Sequence, residues 1–250
     1  MKQYHIGLGP EIAADTVLLP GDPARVEKIA AKLEEPRFLG QNREYLTWRG
    51  QLEGRKILVM STGMGGPSTA IGVEELIKLG VKNFIRIGTC GGMDLRVQAN
   101  DIVIAQAAIR MEGTADEYLP KEFPAIADPF LSMSLYEAAK ALGQRVHMGV
   151  VHCKDSFYGQ HSPETMPVAK QLKESWEAYL AAHSLASEME SAALFAVAQC
   201  REVRAACVLH TIWNQERRAL GLEDPEFSGE NMAIEVAIEA LKSLIKRGEI

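Results

Sequence analysis

Short apolar runs alternate with longer amphipathic segments along the whole chain. "TVLLP", "KILVMST", "NFIRIGT", "DIVIAQAAI", "HMGVVHC" and "AACVLHTIW" are rich in β-branched residues, bounded by turn formers, and read as strands. Between them, "PARVEKIAAKLEE", "PSTAIGVEELIKLG" and "SAALFAVAQCREV" carry apolar residues at helical spacing. The C-terminal "MAIEVAIEALKSLIKRG" sets Ile234, Ile238, Leu241 and Ile245 on one stripe, as a helix lying on a core does. This alternation predicts an α/β fold. No Ser/Gly linker or low-complexity stretch divides the chain, so residues 1–250 read as one domain. Two segments rich in turn formers and polar or aromatic groups, "MEGTADEYLPKEFPAIADP" and "DSFYGQHSPETMPVAKQ", read as active-site loops.

Composition narrows the function classes. The 250 residues are 47% hydrophobic and carry a formal net charge of -6, so there is no basic field to hold a nucleic-acid backbone. No apolar run approaches the ~18 residues of a membrane span, and Met1 is followed by polar residues rather than a leader. Cys90, Cys153, Cys200 and Cys207 form no C-x-x-C pair, so no zinc site or disulfide framework is expected and reduced thiols of a cytoplasmic protein fit. Any anion that this protein binds must be gripped locally.

Two stretches offer such a grip. In "TVLLPGDPARVEKIA" a strand turns into a helix with Asp22 as N-cap and Pro23 at the first helical position. Free amides there favour an anion, and Arg25 in the first turn opposes the helix macrodipole unless an anion lies between them. "NFIRIGTCGG" places Arg86 inside a strand-like apolar run. A buried guanidinium stays charged and needs a partner, either a carboxylate from a neighbouring element or a bound anion. Thr89 offers a hydroxyl, and Gly88, Gly91 and Gly92 allow backbone to approach a ligand closely. The turn "STGMGGPSTAIGVEEL" has Ser68 where a dinucleotide fingerprint needs its third glycine, and it lacks a Walker lysine. Neither a G-x-S-x-G elbow nor an H-E-x-x-H run occurs.

Taken in order, "LPGDPARVEKIA", "QNREYLTWRG", "STGMGGPSTAIGVEEL", "FIRIGTCGG", "DSFYGQ" and "SEMESAALF" resemble the uridine phosphorylases of the nucleoside phosphorylase family. The resemblance runs over almost the whole chain. It implies one α/β domain on a twisted mixed β-sheet flanked by helices, assembled as a dimer-based hexamer whose active sites are shared between subunits. It implies uridine and phosphate as substrates, and uracil and ribose 1-phosphate as products, in a pentosyltransferase reaction of pyrimidine salvage. A purine nucleoside phosphorylase or a nucleosidase of the same fold is the alternative.

The resemblance also implies roles. Phosphate falls to Gly21, Arg25, Arg86 and Thr89, with Arg43 entering from a neighbouring subunit; Arg86 is then paired by substrate. His5 reaches across the dimer to the ribose 5′-hydroxyl. Glu190 takes the 2′- and 3′-hydroxyls, with Glu188 in support and Met189 beneath the sugar; a carboxylate suits two adjacent hydroxyl donors, although acidic residues there also suit a helix N-terminus. The base lies against Phe157, near Tyr158, with its edge on the amide of Gln160. The catalytic set is Arg86, Thr89, Gln160 and Glu190. Where the best-known branch of the family has two base-site arginines, this chain has Ser162 and Gln215. Arg217 or Arg218, with His161, is the expected replacement. Asn214 stands where purine enzymes carry an acidic proton donor, which argues against purines. No organic cofactor or catalytic metal is expected, and Glu44 and Ser68 match positions that line a monovalent-cation site in some relatives.

Overall fold

The computed structural model describes residues 2–229 and 231–250. The strands are β1 (Thr16–Pro20), β2 (Glu34–Asn42), β3 (Tyr45–Leu52), β4 (Arg55–Met60), β5 (Asn83–Gly92), β6 (Ile102–Met111), β7 (Ala125–Ile126), β8 (Val146–Lys154), β9 (Ala186–Glu188) and β10 (Arg204–Asn214). The helices are α1 (Pro23–Ala30), α2 (Gly66–Lys78), α3 (Thr114–Tyr118), α4 (Pro129–Ala141), α5 (Phe157–His161), α6 (Ala169–Ala181), α7 (Ser191–Cys200), α8 (Gln215–Ala219) and α9 (Asn231–Lys246). Every run read as a strand contributes to one ten-stranded sheet of mixed parallel and antiparallel pairs.

The sheet follows the order β10-β6-β8-β9-β5-β1-β4-β3-β2, and β10 also pairs with β5. Strands β10, β6, β8, β9 and β5 therefore close on themselves, and β1, β4, β3 and β2 extend from β5 as an open wing. Buried strands β1 and β5 are apolar on both faces because helices cover both. On one side, Ala70, Val73 and Leu76 of α2 pack with Leu194, Phe195 and Val197 of α7. On the other, Val26 and Ile29 of α1, Leu131 and Leu135 of α4, and Ile234, Ile238 and Leu241 of α9 form a second core. The stripe expected at the C-terminus thus faces inward, with Ile245 only partly buried at its edge.

The segment "PARVEKIAAKLEE" ends as a helix at Ala30, earlier than its periodicity suggests. Leu33 turns back onto that helix through its amide to Ala30, and from Glu34 onward the chain joins β3 as an exposed edge strand. Pro36 is tolerated there because an edge strand has one unpaired side. Among the described residues, no helix is long and apolar enough to cross a membrane.

Candidate active site

The C-terminal ends of β1, β5, β8, β9 and β10 converge on one cavity of about 550 Å³. Ligand sites in sheets of this kind form where strands end and loops diverge. Of the residues expected from the sequence, Gly21, Arg25, Arg86, Thr89, Phe157, Gln160, Glu188, Met189 and Glu190 all line it.

Arg86 resolves its own puzzle in an unexpected way. Its Nε donates to Glu188 at 3.2 Å and its Nη2 donates to Glu190, so the protein's own carboxylates hold two sides of the guanidinium. The expectation that substrate alone pairs Arg86 is corrected: a cation 5% exposed in a low-dielectric strand needs permanent counter-charges to fold. The third side remains available. Nη1 has no hydrogen-bond partner among the described residues. Two glycines make room for this head. A side chain at Gly88 would come within 3.0 Å of Arg86 Nη2 and 2.7 Å of Leu209, and one at Gly21 within 3.8 Å of Nη1 and 3.2 Å of Gly63 O.

Arg25 approaches the same end. As the strand-turn-helix reading expects, Asp22 caps α1 by accepting from Ala24 N at 2.9 Å and Pro23 opens the helix; Arg25 Nη1 donates to Ile87 O at 3.3 Å. The cavity therefore presents Arg25, Arg86 Nη1, the Thr89 side chain and the start of α1 to one spot. That set suits a compact oxyanion.

Glu188 and Glu190 differ although they flank the same arginine. Glu188 accepts from the backbone of Glu190 and Ser191 and from the Ser191 hydroxyl, which caps α7. Burial raises its pKa, but Arg86 and these donors outweigh burial and hold the carboxyl below its ordinary range. Glu190 accepts from Gly65 N at 2.7 Å and from Arg86. Burial dominates there, and with Glu188 close by it pushes the Glu190 carboxyl up against the pull of Arg86. The pair is thus divided: Glu188 serves the helix start, while the Glu190 carboxylate, held between Gly65 and Arg86 rather than by α7 amides, lines the cavity.

The opposite end holds residues that the sequence reading passed over. Lys154, at the last position of β8, is 7% exposed, lines the cavity, and donates to Ser187 Oγ at 2.8 Å. Among the described residues, no carboxylate lies within ion-pair distance of it. Burial lowers its pKa, opposed by the more distant Glu188. The signal for Lys154 was a charged residue ending an apolar strand just before the polar loop "DSFYGQ". Ser187 Oγ also donates to Gln160 Oε1 at 2.7 Å, and Gln160 Nε2 donates to Gln215 Oε1 at 3.3 Å. His161 lines the same end, 4.3 Å from the Phe157 ring and stacked at 5.8 Å on Trp213. Burial and then Lys154 push its pKa down. Phe157 is half exposed, and the Lys154 ammonium lies 6.0 Å from its ring. Ile212, Trp213 and Met64 add apolar wall that no motif announced.

Other expected residues lie elsewhere. Arg217 donates to Leu95 O at 2.8 Å and to Glu223 O, and it faces away from the cavity lining. Arg218 sits over the Trp213 ring at 5.7 Å, outside the lining. Neither guanidinium therefore joins the lining at the base end: Arg217 is held by the turn after β5 and the loop after α8, and Arg218 lies on the Trp213 ring. Ser162 ends α5 and Tyr158 is exposed, both outside the lining. Asn214 is fully buried; its Nδ2 donates to Asp94 O and Val97 O, and its Oδ1 caps α8. "MEGTADEYLPKEFPAIADP" contributes nothing to the lining; Glu112 instead accepts from Thr114 N and Ala115 N to cap α3. Its turn formers cap helices rather than contact a ligand.

His5 and Arg43 lie outside the lining of the chain's own cavity. His5 is pinned by Glu75, which accepts from its Nδ1 at 2.7 Å and from the backbone N–H of His5 and Ile6. Arg43 is exposed in the turn between β2 and β3 at φ 54°. Glu44 and Ser68 both border Gly63, where a Cβ would lie 3.0 Å from Glu44 Cγ and 3.3 Å from Ser68 Oγ. Among the described residues, no group of three or more His, Cys, Asp or Glu could hold a metal ion.

Residues 15–246 match the Phosphorylase superfamily. A uridine phosphorylase of Treponema pallidum is 54% identical over 243 residues, covering 97% of this chain and 94% of that protein. One of Escherichia coli K12 is 38% identical over 97% of this chain and 98% of its own length. A guanosine phosphorylase of Halorubrum lacusprofundi is 32% identical over 97% of this chain and 99% of its own.

Proposed function

The chain belongs to the Phosphorylase superfamily, and we propose that it cleaves uridine with phosphate to give uracil and ribose 1-phosphate. One observation carries this reading: a single cavity joins a cationic end at Arg25 and Arg86, a carboxylate at Glu190, and an aromatic end carrying Lys154 and Gln160. Phosphate binds between Arg25, Thr89, Gly21 and Arg86 Nη1. The ribose rests on Met189 with its 2′- and 3′-hydroxyls on Glu190, and the base lies against Phe157 with its polar edge toward Gln160, Lys154 and His161.

As the bond from C1′ to the base nitrogen stretches, positive charge grows on the sugar and negative charge on uracil. Phosphate oxygens and Glu190 stabilise the first. The Lys154 ammonium, fixed in a dry wall, stabilises the second and needs little reorganisation to do so. A phosphate oxygen then bonds to C1′, the base nitrogen takes the bonding pair, and uracil leaves as an anion that is protonated afterwards. Lys154, Gln160 and His161 thus take the place of the base-site arginines that the chain lacks.

Guanosine as substrate is disfavoured by Asn214, whose amide is consumed by Asp94, Val97 and the α8 cap. A hydrolase has no use for the oxyanion set. His5, partly buried against Glu75, and the exposed Arg43 both lie outside the lining of their own cavity, which supports a shared site in a dimer-based homo-oligomer, extended to a hexamer. Glu44 and Ser68 fit half of a monovalent-cation site completed by a second copy; such an ion tightens the contact and takes no part in bond cleavage. The four free cysteines suit a cytoplasmic enzyme of pyrimidine salvage.

A nucleoside panel assayed with and without inorganic phosphate tests the function. Release of uracil from uridine only when phosphate is present supports it. Release without phosphate, or preferential turnover of inosine or guanosine, overturns it.

A further inference from the structure

Behind the base end, the hydroxyl of Ser187 has three polar neighbours and only one proton to give. Lys154 Nζ lies 2.8 Å away, Gln160 Oε1 2.7 Å, and His152 Nδ1 3.0 Å. An ammonium can only donate and an amide oxygen can only accept. The Ser187 proton therefore goes to Gln160, and its lone pairs receive Lys154 and His152. That assignment leaves His152 one role: its Nδ1 carries a proton and donates it to Ser187.

We infer that His152, which lies outside the lining of the catalytic cavity, is the positioning residue for the base end: its Nδ1–H fixes the Ser187 hydroxyl, which in turn orients Gln160 and Lys154 toward uracil. The inference rests on the uridine phosphorylase reading of the cavity.

Strand geometry supports it. His152 and Ser187 are register partners in the parallel β8–β9 pair, so their side chains share a face. Lys154 lies two residues further along β8, on that same face. The imidazole is 6% exposed, and its plane is held by Trp176 at 5.7 Å and Tyr179 at 5.2 Å, both on α6. Burial first, and the Lys154 charge second, lower its pKa to about 4, so it remains neutral in the physiological range. A second cation beside Lys154 would oppose the arrangement; a neutral Nδ1–H completes it.

The experiment has two readouts on the full-length protein. A ¹H–¹⁵N long-range spectrum of histidine-labelled wild type should show His152 as the neutral Nδ1–H tautomer from pH 6 to 8 (about one unit either side of neutral). In phosphorolysis assays, His152→Leu should lower kcat/KM for uridine about tenfold, the worth of one orienting hydrogen bond, and leave the KM for phosphate unchanged. His152→Asn, whose amide can donate from nearly the same place, should recover most of that loss. In a Ser187→Ala background, His152→Leu should cost nothing further. An Nε2–H tautomer would overturn the proposal, because Nδ1 would then take the Ser187 proton and Gln160 would have to be flipped. So would an undiminished kcat/KM, an equal loss in both backgrounds, or a matching rise in the phosphate KM. Those results with normal wild-type turnover defeat this proposal alone, whereas a wild type that releases no uracil from uridine defeats the functional reading and this proposal together.

Discussion

At the end of the cavity built on β5, Arg86 is held by Glu188 and Glu190, whereas at the end built on β8, Lys154 donates to a serine hydroxyl and lies over an aromatic ring, with no carboxylate among the described residues at ion-pair distance. The first cluster neutralises its charges within the protein, caps a helix, and keeps the Nη1 amine of Arg86 for ligand. The second leaves a buried cation whose counter-charge, in the proposed reaction, arrives as uracil departs. Removing a member of the first should therefore damage stability and catalysis together, and removing the cation of the second should damage catalysis alone.

Arg86→Gln is the most severe way to break that contrast. Two buried carboxylates lose their shared partner, at a cost of about 3–5 kcal/mol in stability. Phosphorolysis should fall by more than about a thousandfold, since both the oxyanion donor and the setting of Glu190 are lost. Thermal unfolding and steady-state kinetics read the two effects. A variant that melts like wild type would show that the ion-pair cluster does not hold the fold.

Lys154→Met is the complementary test. The stem is replaced by an apolar chain of similar length, and exchange of a buried charge for packed hydrocarbon is often neutral or stabilising. The melting temperature should stay close to wild type while kcat/KM for uridine falls on the order of a hundredfold, with phosphate affinity retained. A large loss of stability would assign Lys154 to the scaffold instead.

Ionisation sharpens the comparison further. In the proposed reaction Glu190 acts as an anion that stabilises the positive charge growing on the sugar, and its pKa is raised, so kcat/KM should fall on the acid side, above the ordinary carboxylate range of about 4. Lys154 must be protonated, and its pKa is lowered by burial, so activity should also fall on the basic side, below the usual lysine value of about 10. Lys154→Met should erase the basic limb and keep the acid one. Each limb changes the rate by about tenfold per pH unit beyond its midpoint, a smaller effect near neutrality than either substitution.

The same division explains what could be read from the chain. Strands and helices follow from periodicity, and the Asp22–Pro23 cap is visible because capping needs few residue types at adjacent positions. Arg86 was conspicuous because a guanidinium in an apolar run demands an anion; the run could not say that Glu188 and Glu190, more than a hundred residues away in sequence, already supply two. Lys154 was illegible for the opposite reason. A lysine at a strand end looks solvated until β9 and α5 are seen to close over it. Proximity in sequence misled at Arg217, where two residues' distance from Gln215 suggested a substitute whose head is held elsewhere.

That last residue gives the smallest effect and the cleanest discrimination. Arg217 spends its guanidinium on Leu95 O and Glu223 O and lies near Asp224, so it ties the loop after α8 to the turn after β5. Arg217→Ala should cost about 1 kcal/mol of stability, the worth of a hydrogen bond or so, and change kcat/KM for uridine by less than about threefold. Arg218→Ala should do as little to catalysis, since Arg218 lies over the Trp213 ring and outside the cavity lining. Were Arg217→Ala instead to match Lys154→Met in its loss of uridine turnover, the cation at the base end would have to come from α8, and a rearrangement of that helix on substrate binding would replace the wall described above.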